Sequence, residues 1–286
     1  MSEKTVEEGI IQLIKKAETE LPNDVTIALQ HALTKEHGVA KLQIKTMLKA
    51  VETAQKTKVP LCQDTGILTF FVKIGQNFPY SPQIKTWIQQ AVIRATTEIP
   101  IRPNAVDPIS RKNTCLNTAD LSPHLIYEYT SGSHATITAF PKGSGSENMS
   151  KLWMLAPSTQ FDRIEQLIVD AVREAGGKPC PPTILGIGIG GSADQCLQLA
   201  KHALLRPLGA RHPDKILAQR EQKIIRQCNQ TGIGPMGLGG KTTVLAAHIE
   251  TAPCHPASMP VGLIMQCWAN RHATMIINAD LSWEIL

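Results

Sequence analysis

Apolar residues recur every three to four positions over the first 58 residues, and that spacing predicts helices. Ile10, Ile11, Ile14 and Ala17 line the first. Asn23 or Asp24 can cap a second that runs to Lys35, and a third, from about Val39 to Lys56, carries Leu42, Ile44, Met47, Leu48 and Val51 before Pro60 ends it. Ile67–Ile74 is rich in β-branched and aromatic residues and reads as a strand. Residues 81–98 return to helical spacing. Ile99–Asn117, with three prolines, reads as a long loop of the kind that is usually functional. Leu125–Tyr129 and Ala135–Phe140 read as paired strands joined by Thr-Ser-Gly-Ser, and a Gly/Ser loop follows at Gly143–Asn148. Then helix and strand alternate: a helix over 160–175, a strand Thr183–Gly188, a helix from Gly191 to about Leu205 and a long helix over 213–229. After a second glycine-rich loop, Gly232–Gly240, strands are expected near 242–250, 261–267 and 272–279. The expectation is a mixed α/β (α+β) protein of two lobes, 1–155 and 156–286.

Composition narrows the classes. With 286 residues and 42% hydrophobic content the chain can bury a sizeable core, built on aliphatic residues because aromatics are only 4%. The net charge of +5 comes without a dense Lys/Arg run or interleaved aromatics, so a nucleic-acid partner is not expected, and a small anionic substrate accounts for the excess equally well. No stretch approaches 18 apolar residues, and the N-terminus has no basic-then-apolar leader. A cytoplasmic setting without membrane attachment is the expectation. Seven cysteines scattered over more than 200 residues do not read as a disulfide framework.

Two glycine motifs invite a nucleotide reading. Gly186-Ile-Gly-Ile-Gly-Gly191 follows a strand and opens a helix, but the acidic residue expected about 20 positions on is missing. Its other reading is a tight strand-to-helix turn, with Ser192 and Gln195 as a capping box. Gly234–Lys241 resembles a phosphate-binding loop, yet five residues separate Gly234 from Gly240 where four are required, Pro235 intervenes, and a strand rather than a helix follows. A nucleotide-binding protein using either loop stays open as the alternative from a different class.

The cysteines divide by context. Cys196 and Cys228 fall on predicted helices, where a thiol most often packs in a core. Cys62 stands in Leu61-Cys-Gln-Asp-Thr-Gly66, a thiol followed at once by an amide, a carboxylate and a turn. Cys180 lies between Pro179 and Pro181, and Cys267 ends a predicted strand. Spacings of 118 and 87 residues carry no local cluster signature. His255 follows Cys254 directly, an arrangement unsuited to chelating one zinc ion.

Read in order, Cys62–Gly66, Arg102-Pro-Asn-Ala-Val-Asp-Pro108, Gly143–Ser150, Pro179-Cys-Pro-Pro182, Gly237–Lys241, His255-Pro-Ala-Ser and Cys267-Trp-Ala-Asn-Arg271 resemble the iron-dependent class I fumarases and tartrate dehydratases. The resemblance is to the α subunit of the two-subunit form and covers nearly the whole chain. It implies a [4Fe–4S] cluster on Cys62, Cys180 and Cys267, in the cleft between the lobes, with one iron not bound by cysteine. It implies that Gln63, Asp64, Arg102, Gly145 and His255 meet the substrate, with Asp64 and His255 as the catalytic pair. The substrate is then a small dicarboxylate, and Arg102 suits a carboxylate through its bidentate fork. The proton-transfer residue belongs to a separate β subunit, in a higher oligomer. Two departures stand out: Cys115-Leu116 replaces a small, polar pair, and Lys142–Asn148 differs from the segment of the tartrate branch. The second points to reversible hydration of fumarate to (S)-malate, with L-tartrate dehydration as the alternative.

Overall fold

The computed structural model describes residues 3–113 and 115–286. Met1 and Ser2, read above for a leader, and Thr114 of the Ile99–Asn117 loop lie outside the described residues. In chain order the described residues form α1 (Glu3–Thr19), α2 (Asn23–Lys35), α3 (Gly38–Thr57), β1 (Ile67–Gly75), α4 (Ile84–Glu98), β2 (His124–Thr130), β3 (Ala135–Lys142), α5 (Ser144–Glu147), β4 (Lys151–Leu155), α6 (Phe161–Ala175), β5 (Thr183–Gly190), α7 (Ala193–Ala203), α8 (Lys215–Asn229), β6 (Val244–Ala252), β7 (Met259–Gln266), β8 (Ala273–Ile277) and β9 (Trp283–Ile285). This is a mixed α/β protein. None of its described helices is long and apolar enough to cross a membrane.

The chain divides into two units, and neither is one continuous stretch. The first takes Met1–Pro22, Ala50–Ser144 and Arg271–Leu286; the second takes Asn23–Lys49 and Gly145–Asn270. A single boundary near residue 155, expected from the sequence, does not describe this interleaving. The reason is strand pairing: β8 bonds antiparallel to β3 and β9 to β8, so the C-terminal residues belong to the sheet of the first unit.

That sheet has the order β2-β1-β3-β8-β9. The helix faces expected from periodicity cover it. Val6, Ile10, Leu13, Ile14 and Ala17 of α1, with Ile84, Trp87, Ile88, Ala91, Val92 and Ala95 of α4, enclose Phe70, Val72, Ile137 and Met275 in one core. One expectation is overturned. The two strands joined by Thr-Ser-Gly-Ser are not paired with each other, because β1 lies between them, parallel to β2 and antiparallel to β3. The short connection arches over the end of β1, where the Gly75, Gln76 and Asn77 N–H groups donate to His134, Thr130 and Gly132 carbonyls. Burial decides the order: β1 is apolar and almost wholly buried, while β2, with Glu128, Tyr129 and Thr130 exposed, suits an edge.

The sheet of the second unit has the order β4-β7-β5-β6. β4 lies between the Gly/Ser loop and α6, where the sequence pattern assigned no element. Ile164, Ile168, Val172 and Ala175 of α6 join Leu185, Ile187, Ile249 and Leu263 in its core. The Gly186–Gly191 motif is a packing device. A Cβ on Gly186 would lie 1.9 Å from the Ala200 carbonyl oxygen, and one on Gly188 would lie 2.0 Å from that of Cys196. These glycines let α7 lie directly on β5. Ser192 caps α7 as expected, its hydroxyl accepting the Gln195 N–H at 3.4 Å.

Candidate active site

In the first unit, Pro60 and the following bends carry Leu61–Gly66 between α3 and β1. Cys62 and Gln63 are exposed there. Thr65 is buried and ties this turn to the Ile99–Asn117 loop. Its Oγ1 accepts from the Arg102 N–H at 3.0 Å and from Asn104 Nδ2 at 3.2 Å, and Asn104 Nδ2 also donates to the Gly66 carbonyl. Buried Asn117 completes the link: its Oδ1 accepts the Asn104 N–H and its Nδ2 donates to the Arg102 carbonyl. The long loop is therefore ordered by side-chain amides, and it fixes the backbone of Arg102 beside the Cys62 turn while leaving the guanidinium exposed.

The Asp64 carboxylate is hydrogen-bonded within the first unit. Its Oδ1 accepts the Gly66 N–H at 2.9 Å, and its Oδ2 accepts from Ser144 N at 2.8 Å and Ser144 Oγ at 3.1 Å. A Cβ on Gly143 would come within 2.9 Å of that oxygen, so the glycine there gives the carboxylate room. Asp64 thus closes the turn and joins it to the start of the Gly/Ser loop.

Behind the turn lies a pair that motif reading did not single out. Glu18, at the end of α1, is wholly buried, and its backbone carbonyl accepts the Leu61 N–H at 2.8 Å. Buried Arg271 sets its Nε 3.4 Å from Glu18 Oε2 and donates from Nη2 to the Asp64 carbonyl at 2.7 Å. Burial pushes the Glu18 carboxyl up to about 7, against the pull of the Arg271 guanidinium and with a further push from the charge of Asp64. Glu18 carried no signal beyond its place at the end of an amphipathic helix, and Arg271 closed the Cys267–Arg271 motif with no role assigned to it.

A pH dependence follows. Below pH 4.5, the ordinary value for this carboxyl, Glu18 is protonated in both folded and unfolded chains. Between pH 4.5 and 7 the unfolded chain ionises while the folded one stays largely protonated, so folding stability falls as pH rises, by about 3 kcal/mol, and then levels off. Urea unfolding of the wild-type chain and Glu18→Gln across this range is expected to show that difference; a constant offset between the two chains would refute it.

The remaining candidates lie in the second unit. Cys180 follows the turn closed by its N–H donating to the Gly177 carbonyl, and it holds the left-handed region at φ +55°. The Trp268 N–H donates to the Cys180 carbonyl at 3.2 Å, which brings the Cys180 and Cys267 segments together. Gln266, fully buried, accepts through Oε1 from the Cys267 N–H and from Ser146 Oγ, and so places the Gly145 segment against the same strand end. A Cβ on Gly145 would stand 2.9 Å from the Lys178 carbonyl oxygen. His255 is exposed and its bonds are local: the Ala257 N–H donates to Nδ1 at 3.1 Å, which leaves the ring proton of the neutral form on Nε2.

The thiols separate as their contexts suggested. Cys196 and Cys228 are buried, and burial pushes them up to about 11 and about 12, beyond easy ionisation. Cys62 is exposed, and Cys180 and Cys267 are partly exposed. Among the described residues no group of three or more His, Cys, Asp or Glu could hold a single metal ion. A polynuclear cluster asks less of its thiolates, since different irons take them.

The second glycine loop is already occupied. The buried Glu36 carboxylate accepts the N–H groups of Lys241 and Thr242 at 2.6 to 3.0 Å, so the amides a phosphate would need serve the protein's own carboxylate. Lys241 and Thr242 border a cavity of about 590 Å³, together with His31, Lys35 and Arg211; none of the candidate residues lines it.

A family profile described as "Fumarate hydratase (Fumerase)" matches residues 7–276. The chain belongs to the fumarate hydratase family. Its relatives include the putative L(+)-tartrate dehydratase subunit alpha of Methanocaldococcus jannaschii, 45% identical over 280 residues, covering 96% of this chain and 98% of that one. The L(+)-tartrate dehydratase α subunits of Escherichia coli and Shigella boydii are each 33% identical over 270 residues, covering 94% of this chain and 89% of theirs. The fumarase family chain is thus of the α-subunit type of the two-subunit form, and its chemistry is that of a hydro-lyase. The sequence expectation favoured fumarate; the names of these relatives favour tartrate.

Proposed function

We propose that the chain is the α subunit of an iron–sulfur hydro-lyase that dehydrates L(+)-tartrate, completed by a separate β subunit. The observation that supports this is the Thr65 link, which holds the Arg102 backbone next to the turn carrying the exposed Cys62 and Gln63. The relatives' names give the substrate. The family generally uses a [4Fe–4S] cluster, and the donor set fits: three accessible thiols, all on turns or strand ends. Cys62, Cys180 and Cys267 would hold it. When bound, the cluster supplies Lewis-acid assistance to departure of the hydroxyl.

The chain's own residues supply recognition. Arg102 clamps one carboxylate through its planar fork. Gln63 hydrogen-bonds the hydroxy-acid end, Asp64 holds the turn that presents it, and the backbone at Gly145 admits the substrate closely. His255 offers Nε2–H as a donor to the substrate. The C–H proton is taken by a group on the β subunit. The second reading is interconversion of fumarate and (S)-malate, favoured by the description of the family profile. Tartrate differs from malate by one hydroxyl, a contact able to move specificity by orders of magnitude where a site hydrogen-bonds it.

The test is steady-state turnover by the anaerobically loaded αβ enzyme. Its kcat/KM is expected to be at least about ten-fold higher for L-tartrate than for (S)-malate. The reverse order would replace the first reading with the second, and turnover of neither would sink both.

A further inference from the structure

Leu61–Asp64 is pinned at both ends by groups on other segments. The Leu61 N–H donates to the Glu18 carbonyl at 2.8 Å, and Arg271 Nη2 donates to the Asp64 carbonyl at 2.7 Å. Between these anchors Cys62 and Gln63 are the two exposed side chains. The anchors are themselves coupled, because Arg271 Nε faces Glu18 Oε2 at 3.4 Å. Glu18 is wholly buried and Arg271 is 3% exposed. Neither Glu18 carboxylate oxygen accepts a hydrogen bond among the described residues.

Stability does not explain such a pair. A carboxyl and a guanidinium removed from water and held at 3.4 Å without a completed hydrogen bond contribute less to stability than aliphatic side chains of the same volume. What the pair provides is orientation. The guanidinium is planar and its Nε and Nη2 hydrogens point in fixed directions, so a carboxyl beside Nε and a carbonyl on Nη2 together define where Asp64 lies. Lysine has the charge without that fork. Shifts of an ångström in a reacting group cost far more in turnover than in folding.

We propose that Arg271 and Glu18 are positioning residues: Glu18 sets the guanidinium of Arg271, Arg271 sets the Asp64 carbonyl, and together they aim the Cys62 thiol and the Gln63 amide. This rests on the proposed reading of Cys62 as a cluster ligand. Neither residue touches the substrate in this scheme.

The test uses the full chain, cluster-free and then loaded anaerobically with its β partner, as wild type, Arg271→Lys and Glu18→Gln. The first readout is alkylation of Cys62 by iodoacetamide, followed by peptide mass spectrometry. Its rate is expected to change by at least about three-fold in both variants, while exposed Cys254 reacts as in wild type. Iron bound per chain is expected to fall, and kcat to drop about ten-fold with KM nearly unchanged. An Arg271→Lys chain that folds and keeps wild-type Cys62 alkylation and iron content overturns the proposal. If that chain does not fold, the same wild-type result in Glu18→Gln overturns it. Alkylation and iron binding need no turnover, so they decide this role even if the enzyme acts on neither tartrate nor malate, a result that would sink only the proposed function.

Discussion

Replacing Cys62 with alanine is expected to abolish cluster loading and to lower kcat/KM by at least about a thousand-fold, with little effect on folding of the cluster-free chain. The thiol is exposed, so its loss opens no core cavity. The turn around it is held by backbone anchors at Leu61 and Asp64 and by the Asp64 carboxylate, none of which the substitution touches. Cys196→Ala is the instructive contrast. Cys196 is fully buried, and its Sγ donates to the Gly188 carbonyl at 3.1 Å. That variant is expected to lose about 1 kcal/mol of stability and to bind iron as the wild type does. Iron analysis and visible absorption after anaerobic loading, beside thermal melts of the unloaded chains, check both. A Cys62→Ala chain that loads a normal cluster would remove the thiol from the proposed ligand set.

Gly188→Ala is expected to be among the most damaging single methyl additions to the second unit. The new Cβ would lie 2.0 Å from the Cys196 carbonyl oxygen and 2.9 Å from the Ala200 nitrogen, both backbone atoms of α7. No rotamer change relieves a clash with backbone, so α7 must move off β5 and β7, both of which it covers. The expected cost is about 3 kcal/mol or more, read from urea unfolding or from failure to accumulate as folded protein. A near-neutral effect would show that the glycines are not there for strand–helix contact and would reopen the nucleotide reading of Gly186–Gly191.

The features legible in the sequence were those set by local periodicity. The stripes of α1, α4 and α6 each came from a spacing of three and four that tertiary packing had no reason to override. The order of strands was not legible. A four-residue connection between two strands reads as a hairpin, and only the greater apolarity of β1 explains why it displaces β2 to the edge. The interleaved units were hidden for a similar reason, since nothing near residue 273 records that β8 will pair with β3. At the candidate site, Cys62, Gln63 and Arg102 were named through ordered motifs, while the hydrogen bonds that tie their segments together were not legible. Thr65, Asn104 and Asn117 are ordinary loop residues until their hydrogen bonds are seen. Asp64 was named through the same motif, but its hydrogen bonds to Gly66 and Ser144, which clasp its own turn, could not be read from it.

The place of β8 in the first sheet has a consequence for how the protein is made. β3 is buried along nearly its whole length, and one of its edges is completed only by a strand that begins at Ala273. At ribosomal rates of about 5 to 20 residues per second, roughly 7 to 25 seconds pass between synthesis of β3 and arrival of that partner. Throughout this interval the nascent chain presents an unpaired, apolar strand edge, while the intervening residues of the second unit emerge and can fold. Protection of that edge, by a chaperone or by transient shielding within the chain, is a demand on biosynthesis that the finished molecule no longer shows.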